Sequence, residues 1–350
     1  MFGKLMNNYY YGKSGKGDFR KEDLPENRWE LFLDTLRTRF SGLFRLNLMY
    51  MVIWLPTMIV LLLTFINSLT VLNNIIAARE GTLGQLLEEQ AAANETTVTI
   101  TEEQIAQMAQ VDMGDYLRTI ALRTLLILIP CIAITGPATA GVCYVTRNWA
   151  RDEHAFIWSD FKDAMKENWK QSLVISLITS LMPLLAYMGW QFYGGMAATQ
   201  PFMVIPQVLV IMVAIIWSLG LIYFYPLLVT YQLKLKDVLR NGLLLAVARL
   251  PMSVGVRLLH CVPLLLAALL AYLWNPIYAA LILFGYYFLV GYTMSRFVTA
   301  SYTNAVFDRF LNPKIEGAKV NQGLRQDSDD DDEEDGEPEN GQEETQTPGE

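Results

Sequence analysis

The chain has 350 residues, of which 53% are hydrophobic and only 18% charged, with a net charge of −8. A soluble domain of this size carries about a quarter charged residues; here no carboxylate occurs between Asp34 and Glu80, Asp115 and Asp152, Glu167 and Asp237, or Asp237 and Asp308. Those gaps are long apolar runs, which excludes an ordinary soluble globular protein, and much of the acid sits in one run, DSDDDDEEDGEPE, at 327–339.

Residues 1–45 contain Lys4, Lys13, Lys16, Arg20, Lys21, Arg28, Arg37 and Arg39. They lack the apolar stretch and small-residue cleavage site of a signal peptide, so they read as a cytoplasmic N-terminal segment. About 20 apolar residues cross a bilayer, and six stretches are candidates, at about 46–71, 119–145, 172–190, 202–229, 258–273 and 277–298, the fifth being short. The expected fold is an all-α polytopic transmembrane helical bundle of about six spans, with short amphipathic cytoplasmic helices between them.

Between spans one and two lies an acidic extracellular insertion, 73–116, with one basic residue, Arg79, and eight acidic ones. Its first part, 82–93, reads as helix. Asn94-Glu95-Thr96 has the glycosylation spacing, which matters only in a eukaryotic secretory pathway. Thr101 and Gln104 have the spacing of a capping box, in which each side chain bonds the other's backbone N–H.

Span two holds the most unusual local sequence, Thr135-Gly136-Pro137-Ala138-Thr139-Ala140-Gly141. Gly136, Ala138 and Gly141 permit close helix approach, and Pro137, with Pro130 before it, removes backbone hydrogen bonds. Two readings follow: a tight helix crossing, which is favoured, or a broken helix bordering a cavity. Prolines recur at Pro56, Pro183, Pro206, Pro226 and Pro263. Trp149, Trp169, Trp190, Phe192 and Tyr193 read as interfacial aromatics.

The loops after spans two and four are rich in Lys and Arg, which places them and both termini in the cytoplasm. Phe161-Lys162-Asp163-Ala164-Met165-Lys166 and Leu235-Lys236-Asp237-Val238-Leu239-Arg240 look alike, and both read as short amphipathic helices that hint at an internal repeat. The candidate partner surface comprises Arg151, Asp160, Phe161, Lys162, Lys166, Asn168, Lys170, Lys236, Asp237 and Arg240.

His154 with Asp152, Glu153 and Asp160 sketches a metal site, but neighbours in sequence do not share a helix face, so a solvated surface is expected. His260 reads as a packing histidine. Cys131, Cys143 and Cys261 have neither metal nor redox spacing. No Asp or Glu lies within a predicted span, which counts against ion-coupled transport. No phosphate-binding glycine loop and no HExxH or GxSxG motif is present, so no catalytic residues, metal or cofactor are expected. The region 299–350 reads as a cytoplasmic tail, disordered and acidic from about 326.

The run 129–172, IPCIAITGPATAGVCYVTRNWARDEHAFIWSDFKDAMKENWKQS, resembles the central signature of the bacterial YesL family of membrane proteins of unknown function. Asp160, Phe161, Lys162, Ala164, Lys166, Asn168, Lys170 and Gln171 carry the likeness, which continues more loosely to about Arg309. The insertion 73–116 and the acidic tail depart from the family pattern. The resemblance implies a bacterial plasma-membrane protein, non-enzymatic, with an accessory or regulatory role near carbohydrate uptake. The expected partners are the lipid bilayer and an ABC transporter permease or another membrane protein, not nucleic acid. A small-solute channel or facilitator not coupled to ions is the alternative.

Overall fold

The first helix, α1 (Arg28–Glu80), is 53 residues long, or about 80 Å at 1.5 Å per residue, well beyond a bilayer's hydrocarbon core of about 30 Å. It starts where the Asn27 side chain accepts the Glu30 N–H at 2.9 Å and stops at Gly81, whose φ of 74° is left-handed. The computed structural model describes residues 24–93 and 101–325. The glycosylation triplet and the acidic tail lie outside the described residues.

After α1 come α2 (Leu83–Ala93), α3 (Glu102–Ala109), α4 (Met113–Ala133), α5 (Gly136–Trp149), α6 (Ile157–Glu167), α7 (Trp169–Ala197), α8 (Val204–Thr230), α9 (Leu235–Ala248), α10 (Leu250–Leu273), α11 (Pro276–Tyr286) and α12 (Tyr292–Phe310). The protein is an all-α polytopic bundle, and among the described residues six helices are long and apolar enough to cross a membrane, counting α11 and α12 as one. Thr101 and Gln104 form the capping box that starts α3, and both expected amphipathic helices are present as α6 and α9.

Burial is concentrated at one end of the bundle, hereafter the elbow end because α6 and α9 fold back there. In α8 the change occurs along one helix: Val208, Leu209, Met212 and Val213 are exposed, whereas Tyr223, Phe224, Leu227 and Leu228 are buried. One core cluster joins α8 to α5, α7, α9 and α12. A second, containing Leu43, Leu46, Tyr50, Val142, Trp149, Phe161 and Phe297, joins α1 to α5, α6 and α12. Away from that end, exposed side chains such as Leu265, Leu269 and Ile282 are apolar. A surface of that kind matches lipid rather than water.

Two expectations change. The second apolar stretch is not one helix: it breaks at Ile134-Thr135, between α4 and α5. Pro137 lacks the N–H that would reach the Ala133 carbonyl four residues back, and the Ser176 hydroxyl of α7 donates to that carbonyl instead, at 2.5 Å. Trp149 is no interfacial aromatic. It is 2% exposed and its ring edge fills the space over Gly42 of α1, where a Cβ would lie 3.0 Å away.

α11 passes into α12 through a π-helical turn, Tyr287–Gly291. Asn47, fully buried in α1, donates to the Tyr287 and Phe288 carbonyls at 3.0 and 2.8 Å and accepts the Thr293 N–H at 3.0 Å. A π turn shifts the backbone ladder by one residue, and this one amide completes it.

Candidate functional site at the elbow end

The small residues of α5 set the geometry of this end. A Cβ on Gly136 would run into the Ser172 carbonyl and the Ser176 hydroxyl of α7, and one on Gly141 would lie 2.6 Å from the Phe161 carbonyl of α6. Pro137 occupies the first turn of α5, where a missing N–H costs nothing, and Ala138 is buried. The second elbow inverts the arrangement: Gly242 of α9 and Gly220 of α8 both lie against the Phe224 ring. The elbows meet where the Gln171 side chain donates to the Leu233 carbonyl at 3.3 Å.

The residues expected to form a partner surface divide into two groups. Lys162, Lys166, Lys170, Lys236 and Arg240 are exposed, and Asp237 is half-buried. Phe161 is 5% exposed and belongs to the core, because α6 is amphipathic and Phe161 and Ala164 lie on its inner face. Asp160 accepts the Phe156 N–H at 2.9 Å, and Asn168 donates to the Ala164 carbonyl at 3.0 Å, so both hold the elbow in shape. Arg151 is turned inward, 3.4 Å from Glu153 and 2.8 Å from Gln322. Phe156, Trp158 and Trp169 remain exposed beside the lysines.

Arg147 ends α5 with its guanidinium 3.6 Å from Glu153 and 3.2 Å from the Val229 carbonyl. Burial holds it below its ordinary value, and the Glu153 charge opposes that shift. His154 is exposed and lies edge-on to Phe156. No group of three metal-ligating side chains occurs among the described residues.

Deeper in the bundle lies a polar layer that sequence reasoning missed. Arg296 of α12 stands 5.5 Å from the centroid of the Tyr225 ring, among Tyr50, Cys143 and Tyr225. Tyr50 in turn shares a 2.6 Å hydrogen bond with Thr139. Arg257 of α10 donates to the Ser218 carbonyl of α8, while its Nε has no partner. One turn on, His260 Nε2 donates to the Ser295 carbonyl at 3.1 Å. The Tyr223 hydroxyl bonds Ser253 at 2.8 Å and Tyr302 at 2.9 Å. A cavity of about 670 Å³ between α1, α10 and α12 reaches this layer at His260, Ser295 and Tyr302. The signal available was an arginine inside an otherwise apolar span, as informative there as a carboxylate.

Residues 118–190, from α4 to α7, match the family described as "Protein of unknown function, DUF624". This stretch contains the α4–α5 break, the small residues of α5 and the first elbow. The "Uncharacterized protein YesV" of Bacillus subtilis (strain 168) is 28% identical over 127 residues, which is 36% of this chain and 60% of that protein. The chain therefore spans about 60% of the length of the curated relative it matches. No solved structure matches. Both similarities are to proteins of unknown function, and the family match covers the stretch that holds the first elbow.

Proposed function

We propose that the protein is a non-enzymatic accessory or regulatory component of an ABC-type carbohydrate-uptake system in a bacterial plasma membrane. In this reading the elbow end and both termini face the cytoplasm, in keeping with the excess of Lys and Arg in its loops. The observation that carries the proposal is the pair of firmly seated elbows, which hold Lys162, Lys166, Lys170, Lys236 and Arg240 exposed beside Trp158 and Trp169. Charged residues rimming exposed aromatics favour a protein partner, and the resemblance to the YesL family points to a permease. Purification in mild detergent tests this: the wild-type chain retains a permease subunit, and Lys162→Glu with Lys166→Glu, Lys236→Glu and Arg240→Glu releases it. A wild-type preparation free of any permease sinks the proposal.

A second reading, a facilitator for a small solute not coupled to ions, draws on the cavity between α1, α10 and α12. Solute flux across proteoliposomes containing only this protein would favour it, and impermeable proteoliposomes would remove it.

A further inference from the structure

Only Ser253 of α10 is buried, and between this helix, α12 and the start of α1 lies the cavity of about 670 Å³. Its lining is sorted by depth. Arg28 and Trp29 stand at the elbow end, where Asp308 of α12 holds Arg28. Ser301 and Tyr302 come next along α12, and Val298, Met294, Val262 and Pro263 line the deeper part. From Asp308 to Met294 the helix rises about 21 Å, somewhat more than half of a hydrocarbon core about 30 Å thick. The cavity is thus a groove about one leaflet deep.

The polar groups of the groove have unused capacity. Arg28 engages one nitrogen, Nη2, with both Asp308 at 2.5 Å and Asn321 at 2.8 Å. Its Nε and Nη1 edge has no partner among the described residues. The Ser301 hydroxyl is buried and unpaired, a cost that an acceptor on a ligand would remove. Trp29 is 67% exposed, at the level of the chain where an indole suits lipid headgroups. Leu259 and Val262 are exposed too, so the apolar wall on α10 lacks a protein cover.

We propose that this groove binds one glycerophospholipid from the leaflet at the elbow end. Its phosphodiester takes the free edge of Arg28, whose planar fork matches a phosphate. An ester carbonyl of the glycerol accepts from the Ser301 hydroxyl, and one acyl chain lies along Val298, Val262, Pro263 and Met294. Charge, hydroxyl and apolar surface follow one another along α12 in the order of phosphate, ester and chain in such a lipid. A free phosphate, a sugar or an apolar helix does not reproduce that order. Because Arg28 is already paired with Asp308, the site reads the phosphodiester rather than net negative charge. None of the lining residues belongs to α6 or α9, so the lipid site and the permease surface fail independently. A lipid seated here does take the cavity from the facilitator reading.

Native mass spectrometry of the full chain tests this. The protein is purified in mild detergent, stripped of lipid, and titrated with phosphatidylcholine, phosphatidylglycerol or diacylglycerol carrying the same chains. The wild type retains one phospholipid with either headgroup. It holds diacylglycerol about tenfold less tightly, the scale of one hydrogen bond to a charged group. Val298→Trp fills the groove and loses the retained lipid. Arg28→Lys keeps a cation for Asp308 without the planar second edge, so it weakens phospholipid about tenfold and leaves diacylglycerol unchanged. Should Val298→Trp fail to fold, Val262→Trp, at a position already 40% exposed, carries the same comparison. No retained phospholipid, equal retention of diacylglycerol, undiminished retention in the tryptophan variant, or a dimer that the same variant dissolves overturns the proposal.

Discussion

Arg28 and Asp308, 280 residues apart in sequence, form an ion pair at 2.5 Å that closes the elbow end. Asp308 is 6% exposed and also accepts the Asn312 amide at 2.5 Å and the Asn321 N–H at 3.2 Å. Asn312 in turn accepts the Tyr231 hydroxyl at 2.6 Å. The start of α1, the end of α8 and the end of α12 thus converge on one carboxylate. Its loss leaves a partly buried guanidinium unpaired, so Asp308→Ala destabilises by on the order of 3 kcal/mol. Thermal unfolding in detergent checks this, and a melting temperature within a degree of the wild type would refute the latch.

Asn47→Leu removes the side chain that reaches the π turn from α1, leaving the Tyr287 and Phe288 carbonyls and the Thr293 N–H without it. Each unsatisfied buried group costs about 1–3 kcal/mol. The variant is expected to unfold at lower temperature by more than Asn47→Asp, which keeps the acceptor for Thr293. Equal stability of Asn47→Leu and wild type would contradict the assignment.

Ser176→Ala leaves the Ala133 carbonyl bare at the proline break, for about 1–3 kcal/mol. Gly136→Ala forces α5 from α7 at a crossing with no room for a Cβ, and overpacking of this kind costs about 1–3 kcal/mol. Gly255→Ala, in α10 with no atom within 4 Å of the added methyl, is the matched control and is expected to be neutral or slightly stabilising. Similar losses at Gly136 and Gly255 would show that the crossing is looser than described.

Orientation is open to direct labelling. Single cysteines at Lys166 and Lys236, in a background freed of Cys131, Cys143 and Cys261, are expected to resist a membrane-impermeant maleimide in intact cells and react after lysis. A cysteine at Tyr272, which is 87% exposed near the opposite end of α10, is expected to show the reverse. Labelling of Lys166 sites in intact cells would invert the topology.

Periodicity and run length made the apolar helices legible, because a span needs a long uninterrupted stretch and the amphipathic helices need alternating faces. The Thr101–Gln104 box was legible because capping is local. What was not legible depends on contacts distant in sequence. Trp149 has the sequence neighbourhood of an interfacial aromatic, and its packing over Gly42 of α1 and within the second core cluster makes it a core residue. Phe161 lies in a charged segment, and its burial follows from Gly141 on another helix. Asp308 looks like an ordinary helix-end acid until Arg28 is placed beside it. Arg296 is visible in its span as a charge among apolar residues, but its contact with the Tyr225 ring joins helices about 70 residues apart in sequence.

The central claim is that the elbow surface meets a partner. Photo-crosslinking in cells, with the reactive amino acid placed at Lys166, Lys236 or Tyr272, tests it most directly. The account predicts one crosslinked species, containing a carbohydrate-uptake permease subunit, from Lys166 and Lys236 and none from Tyr272. No crosslinked protein at either elbow position, or the same species at all three, would contradict it.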